Sequence, residues 1–209
     1  MTSKLFVRLL LFSVFIPLNA ISADSHLPAI LVFGDSLSAA YGIEEEEGWV
    51  SLLDKRIKGE GLAFRVVNGS VSGETSTGGV ERLPSMLNTY RPRVVILELG
   101  GNDGLRGLPL ELITNNLNKM VDMIHETGSS ALLAGIQIPP NYGPRYTVPF
   151  TKLFYKIAET KQIGFIPFLI DGIPQQPELM QDDGIHPKAE AQVLILNNVW
   201  PHLLNLIGK

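Results

Sequence analysis

Five apolar runs, separated by helical stretches, set the strongest limit on what this chain can fold into. They are Ala29 to Gly34, Phe64 to Asn68, Arg93 to Leu99, Ala131 to Ile138 and Gly164 to Leu169. Each is almost continuously apolar rather than alternating. A strand of that kind has both faces covered, which is the signature of a parallel sheet. The intervening segments carry helical spacing. Leu112, Ile113, Leu117, Met120, Val121 and Ile124 mark a helix over Leu110 to Glu126, and Gly128 is its stop signal. Further helices are expected over Trp49 to Lys58, Gly79 to Tyr90 (bent or split at Pro84), Val148 to Lys161, and from Pro187 toward Ile207 with a kink at Pro201. Strand–helix alternation of this kind predicts an α/β fold, a three-layer α/β/α sandwich with right-handed crossovers.

The first residues are a separate object. Lys4 and Arg8 precede an apolar stretch from Leu9 to Leu18, and small residues follow at Ala20, Ser22 and Ala23. That is the order of a secretory signal, with cleavage after Ala20 or Ala23. The stretch of about ten residues is shorter than the ~20 a membrane span needs. The expected organisation is a signal peptide over 1–23 and one domain over 24–209. An uncleaved anchor is the alternative. Losing Lys4 and Arg8 with no acid takes the formal charge from −4 to −6. An acidic protein without a basic run is a poor nucleic-acid binder. The chain has no cysteine, so an exported form depends on its core rather than on disulfides. A thiol nucleophile and cysteine metal sites are excluded for the same reason. Glu44 to Glu47 reads as a solvated helix start rather than a metal site.

In an open parallel sheet, ligands bind beyond the C-terminal ends of the strands. The chemically capable residues fall there. Ser36 follows the first run, Gly73 the second, Asn102 the third, the Asn141 loop the fourth, and Asp183 and His186 lie beyond the fifth. Ser36 is the candidate nucleophile and His186 the base that would take its proton. Asp183, three residues before His186, can accept from one imidazole nitrogen and leave the other facing Ser36. Asp182 competes for that role. Ser38 is a rival serine and the better candidate for capping a helix after Leu37. The backbone amides of Ser36 and Gly73 and the side-chain amide of Asn102 are candidate oxyanion donors. No metal and no cofactor is needed for this set.

The strings that carry these residues are Gly34-Asp35-Ser36-Leu37-Ser38, Ser72-Gly73-Glu74-Thr75, Gly100-Gly101-Asn102-Asp103 and Asp183-Gly184-Ile185-His186-Pro187. In this order they resemble the four blocks of the SGNH hydrolases, a branch of the GDSL esterases and lipases. The longer strings Leu97 to Gly107 and Met180 to Pro187, with Pro140-Asn141-Tyr142-Gly143 and Arg145-Tyr146, are similar to the multifunctional acyl-CoA thioesterase, lysophospholipase and arylesterase group of the bacterial periplasm. The resemblance runs from about Ile30 to the C-terminus. It implies a flavodoxin-like five-stranded parallel sheet, acyl-serine hydrolysis, and the roles already named for Ser36, Gly73, Asn102, Asp183 and His186. It also implies small ester, thioester or lysophospholipid substrates. Glu74 stands where close relatives tend to have Asp, next to the oxyanion glycine. The Gly-x-Ser-x-Gly elbow of the α/β-hydrolase fold is absent around Ser36.

The loops after the third and fourth strands should flank the site. Leu105, Leu108, Pro139, Tyr142 and Tyr146 therefore offer apolar surface for an acyl or aryl group. A periplasmic or secreted monomer with no stable membrane anchor after signal cleavage is expected. Two other readings use the same residues: a carbohydrate O-deacetylase, and a lipid-binding protein without turnover.

Overall fold

The computed structural model describes residues 26–208. The signal peptide expected over 1–23 lies outside the described residues.

Strands β1 (Ala29–Gly34), β2 (Arg65–Asn68), β3 (Val94–Glu98), β4 (Ser130–Ala134) and β5 (Gly164–Ile166) form one sheet in the order β2-β1-β3-β4-β5. Every neighbouring pair is parallel. Helices α1 (Trp49–Gly59) and α6 (Gln192–Ile207) cover one face. Helices α2 (Ser76–Tyr90), α4 (Leu110–Glu126) and α5 (Pro144–Lys161) cover the other, and the short α3 (Gly101–Leu105) follows β3. Alternate strand residues feed the two cores. Ile30, Val32, Val94 and Ile96 pack with α1 and α6, while Leu31, Phe33, Val95 and Leu97 pack with α2, α4 and α5. This period of two explains why the strands read as unbroken apolar runs.

The element ends differ from expectation for local reasons. β4 stops at Ala134, four residues early. A side chain at Gly135 would collide with the Pro167 carbonyl, and residues Ile136 to Ile138 leave the sheet to line a cleft. α2 runs unbroken through Pro84, and α6 through Pro201. α5 starts at Pro144, where proline suits the first turn. α6 starts only at Gln192, because Pro187 is held in an antiparallel bridge to Met180.

The helix expected after Leu37 does not form. Asp35 to Gly42 is a chain of turns, and Ala40 adopts the left-handed conformation at φ 57°. Ser38 is therefore not a helix cap. It is buried, and its hydroxyl donates to Glu98 Oε2 at 2.8 Å.

Candidate active site

The strand order reverses direction between β1 and β3, and crevices form at such switch points. Ser36 leaves β1 and Asn102 leaves β3, side by side. Asp183 and His186 arrive on the loop before α6. The Ser36 Oγ lies 2.7 Å from His186 Nε2, and His186 Nδ1 lies 2.6 Å from Asp183 Oδ2. Asp183 Oδ1 accepts from the backbone N–H groups of Ile185 and His186 at 2.9 and 3.0 Å. The carboxylate thereby fixes both the loop and the ring. Burial pushes the Asp183 carboxyl up, but hydrogen bonds from the His186 ring, from its N–H and from the Ile185 N–H outweigh this and hold it below the ordinary value of 3.8. With Nδ1–H directed at Asp183, Nε2 is left to accept from the Ser36 hydroxyl. Asp182 is exposed and takes no part in this chain of bonds.

Three candidate donors line the same cleft as the Ser36 hydroxyl. The backbone N–H groups of Ser36 and Gly73 make no hydrogen bond among the described residues. Gly73 has φ 79° and open space where a Cβ would stand, so its backbone can approach a substrate. Asn102 Nδ2 donates one hydrogen to Asp35 Oδ2 at 3.0 Å and keeps the other. The two loops are tied behind this set: Asp103 accepts from the Ser76 hydroxyl at 2.6 Å and the Ser76 N–H at 2.8 Å. Arg106 Nη2 reaches the Gly73 carbonyl at 3.4 Å. Glu74 is held by Arg82, whose Nε donates to it at 2.8 Å and whose guanidinium lies 4.2 Å above the Phe33 ring. The longer acid at this position is thus anchored to Arg82.

Beneath Ser36 lies a buried pair of carboxyls. Gly34 stands opposite Glu98 in the β1–β3 register, and a Cβ on Gly34 would collide with Glu98 Oε2. That oxygen accepts from the Asp35 N–H at 3.1 Å and from Ser38. Asp35 Oδ1 accepts from the Leu37 N–H at 3.1 Å. Burial raises the Asp35 carboxyl from 3.8 to about 6, against the opposing hydrogen bonds from Leu37 and Asn102. Burial, with the neighbouring Asp35 charge, raises Glu98 well above the ordinary carboxyl range. Of the two, Glu98 is pushed further toward its protonated form, and Asp35 accepts from Asn102.

Ser36, Gly73, Asn102 and His186 open onto one cleft of about 910 Å³. Its walls are mainly apolar and include Leu37, Ile136, Ile138, Phe168 and Met180. Leu105 and Pro139 line it as expected. Leu108, Tyr142 and Tyr146 do not. The Tyr142 and Tyr146 hydroxyls instead donate to the Leu105 and Leu108 carbonyls at 2.8 and 2.7 Å, so they brace the loop that presents Leu105.

The model of the GDSL-like lipase/acylhydrolase family matches residues 32–194. The chain belongs to that family. It is 44% identical over 201 residues to "Esterase TesA" of Pseudomonas aeruginosa, covering 96% of this chain and all of that one. It is 38% identical over 198 residues to "Thioesterase 1/protease 1/lysophospholipase L1" of Escherichia coli strain K12, covering 95% of this chain and 92% of that one. Among solved structures, the psychrotrophic esterase EstA of Pseudoalteromonas sp., inhibited by monoethylphosphonate, superposes with a TM-score of 0.83. It is 40% identical and covers 87% of this chain and 99% of that one. The α/β sandwich is the fold of this GDSL-like family.

Sequence reasoning missed Asp35, Glu98, Asp103, Tyr41 and Gln181. A signal existed for Glu98, the only acid inside the apolar run Val94 to Leu99. An acid placed there is buried, and a buried acid has a partner. Asp35 and Asp103 neighbour Ser36 and Asn102 in the chain, but their bonds to Asn102 and Ser76, like the contacts of Tyr41 with His186 and of Gln181 with Tyr41, join residues remote in the chain, which no spacing rule reveals.

Proposed function

We propose that the protein is an exported serine acyl hydrolase that cleaves esters and thioesters of lipid-like and aryl substrates, lysophospholipids included. The observation that carries this reading is the continuous Ser36–His186–Asp183 hydrogen-bond relay with unpaired donors beside it, at the edge of an apolar cleft. His186 Nε2 takes the Ser36 proton as Oγ attacks the carbonyl carbon. The oxyanion is met by the Ser36 and Gly73 N–H groups and the free hydrogen of Asn102. His186 then protonates the departing alkoxide or thiolate. Water attacks the acyl-serine, giving its proton to His186, and Ser36 leaves with that proton restored. Asp183 stays ionised throughout. The apolar walls suit an acyl chain or aryl ring, and the names of the relatives point to the same substrate classes.

This reading takes 1–23 as a signal peptide and 24–209 as one hydrolase domain acting as a monomer in the periplasm. Among the described residues, no helix is long and apolar enough to cross a membrane.

The test is hydrolysis of p-nitrophenyl esters from acetyl to palmitoyl by the mature protein and by Ser36→Ala. Turnover should peak at medium chains and fall by about 10⁴ or more in the variant. Near-normal activity in the variant would overturn the serine mechanism. Activity on acetyl esters alone would overturn the acyl cleft and favour a deacetylase.

A further inference from the structure

The Asp35 to Gly42 turns carry a residue that the relay above does not use. The Tyr41 ring lies against the His186 imidazole, with centroids 4.5 Å apart and planes 40° apart. Tyr41 is 51% exposed and its hydroxyl has no hydrogen bond among the described residues. Burial and hydrogen bonding therefore do not explain its position. We propose that Tyr41 is a positioning residue that fixes the face of the His186 ring; this rests on His186 acting as the base.

The geometric need is clear. Hydrogen bonds at Nδ1 and Nε2 pin both ring nitrogens, to Asp183 and Ser36. Both bonds lie in the plane of the ring and neither bears on its faces. A contact on the face resists tilting of the ring out of line with Ser36 and Asp183, and Tyr41 supplies one. The aromatic face also favours the imidazolium that forms when Ser36 loses its proton.

The turn around Tyr41 is built for this contact. Ala40 has φ 57°, a conformation that residues with a Cβ adopt rarely, and Gly42 has φ 76°. Gln181 clamps the turn to the histidine loop. Its Nε2 donates to the Tyr41 carbonyl at 2.9 Å and to the Pro187 carbonyl at 3.2 Å, and its N–H donates to the His186 carbonyl at 2.8 Å. A Cβ on Gly42 would collide with the Gln181 side chain, so glycine makes room for the clamp. A strained residue, a glycine, an amide clamp and an exposed aromatic ring converge on one face of one imidazole.

The experiment compares wild type, Tyr41→Phe and Tyr41→Ala in two readouts. One is kcat and KM on a medium-chain p-nitrophenyl ester. The other is the rate at which a fluorophosphonate labels Ser36, which reads nucleophile activation without substrate turnover. Tyr41→Ala should lower kcat and the labelling rate together, by about tenfold, with KM nearly unchanged. Tyr41→Phe, which keeps the ring, should restore both to within about twofold of wild type. A Tyr41→Ala variant with an unchanged labelling rate and a raised KM would overturn the proposal and make Tyr41 only a wall of the cleft. A loss that Phe fails to restore would overturn it too, by assigning the effect to the hydroxyl. Wild-type protein that neither turns over nor labels would instead overturn the serine-hydrolase reading itself.

Discussion

The buried Asp35 carboxyl should leave a measurable mark on how stability varies with pH. In the folded protein it titrates at about 6 against an ordinary 3.8, because burial disfavours its charge. An unfolded chain releases that proton near 3.8. Between the two values the folded state holds more protons, so stability falls as pH rises. The contribution is whole below 3.8 and lost above about 6. At about 1.4 kcal/mol per pH unit, the span is worth about 3 kcal/mol. That is a large share of the 5–15 kcal/mol typical of a domain. Asp35→Asn removes the titration while keeping the shape. Urea unfolding of the protein and the variant, in half-unit steps from pH 4 to pH 8, reads the effect together with the smaller change it brings to Glu98. The stability of wild type minus that of the variant should fall by at least about 2 kcal/mol from pH 4 to pH 7, and it should not rise at higher pH, because losing the Asp35 charge also lowers Glu98 in the variant. Asp183, held below its ordinary value, pulls the other way, losing stability as pH falls, but it does so in both proteins and cancels. Any change in the hydrogen bonds to Leu37 and Asn102 adds a constant offset, since the asparagine amide does not titrate. A difference that is flat or rising between pH 4 and pH 7 would refute the argument, because Asp35 would then titrate as it does in the unfolded chain.

Two more expectations come from the same geometry. Asn102→Ala removes one proposed oxyanion donor and should lower kcat by about 10²–10³ with little change in KM, read on p-nitrophenyl esters. Gly34→Ala drives a methyl into the Glu98 carboxyl beneath the nucleophile and should cost about 1–3 kcal/mol in urea unfolding; an unchanged midpoint would show that Glu98 can swing aside.

The fold was legible because its signals are local. A strand buried on both faces must be apolar at nearly every position, so β1, β3 and β4 announced themselves. α4 was read to its last residue, since one amphipathic stripe ends at Gly128. The elements that misled are those where a distant contact overrode local preference. Ile136 to Ile138 read as strand but line the cleft, and Pro187 read as a helix start but pairs with Met180. Ser38 read as a cap, yet it answers a carboxyl 60 positions away.

The same division runs through the site. Ser36, Gly73 and Asn102 could be named from sequence because each follows a strand, Asp183 and His186 because they precede the last helix, and parallel topology gathers those loops at one edge. Asp183 could be paired with His186 because three residues separate them. Only tertiary structure buried Glu98 beside Asp35 behind Ser36, raised both carboxyls, laid Tyr41 on the imidazole, and bonded the Tyr142 and Tyr146 hydroxyls to the Leu105 and Leu108 carbonyls. The sequence of this protein determined which groups could react, through spacing and residue type. Packing decided their protonation and aim, because burial, charge and orientation depend on neighbours brought together from 60 to 150 positions apart.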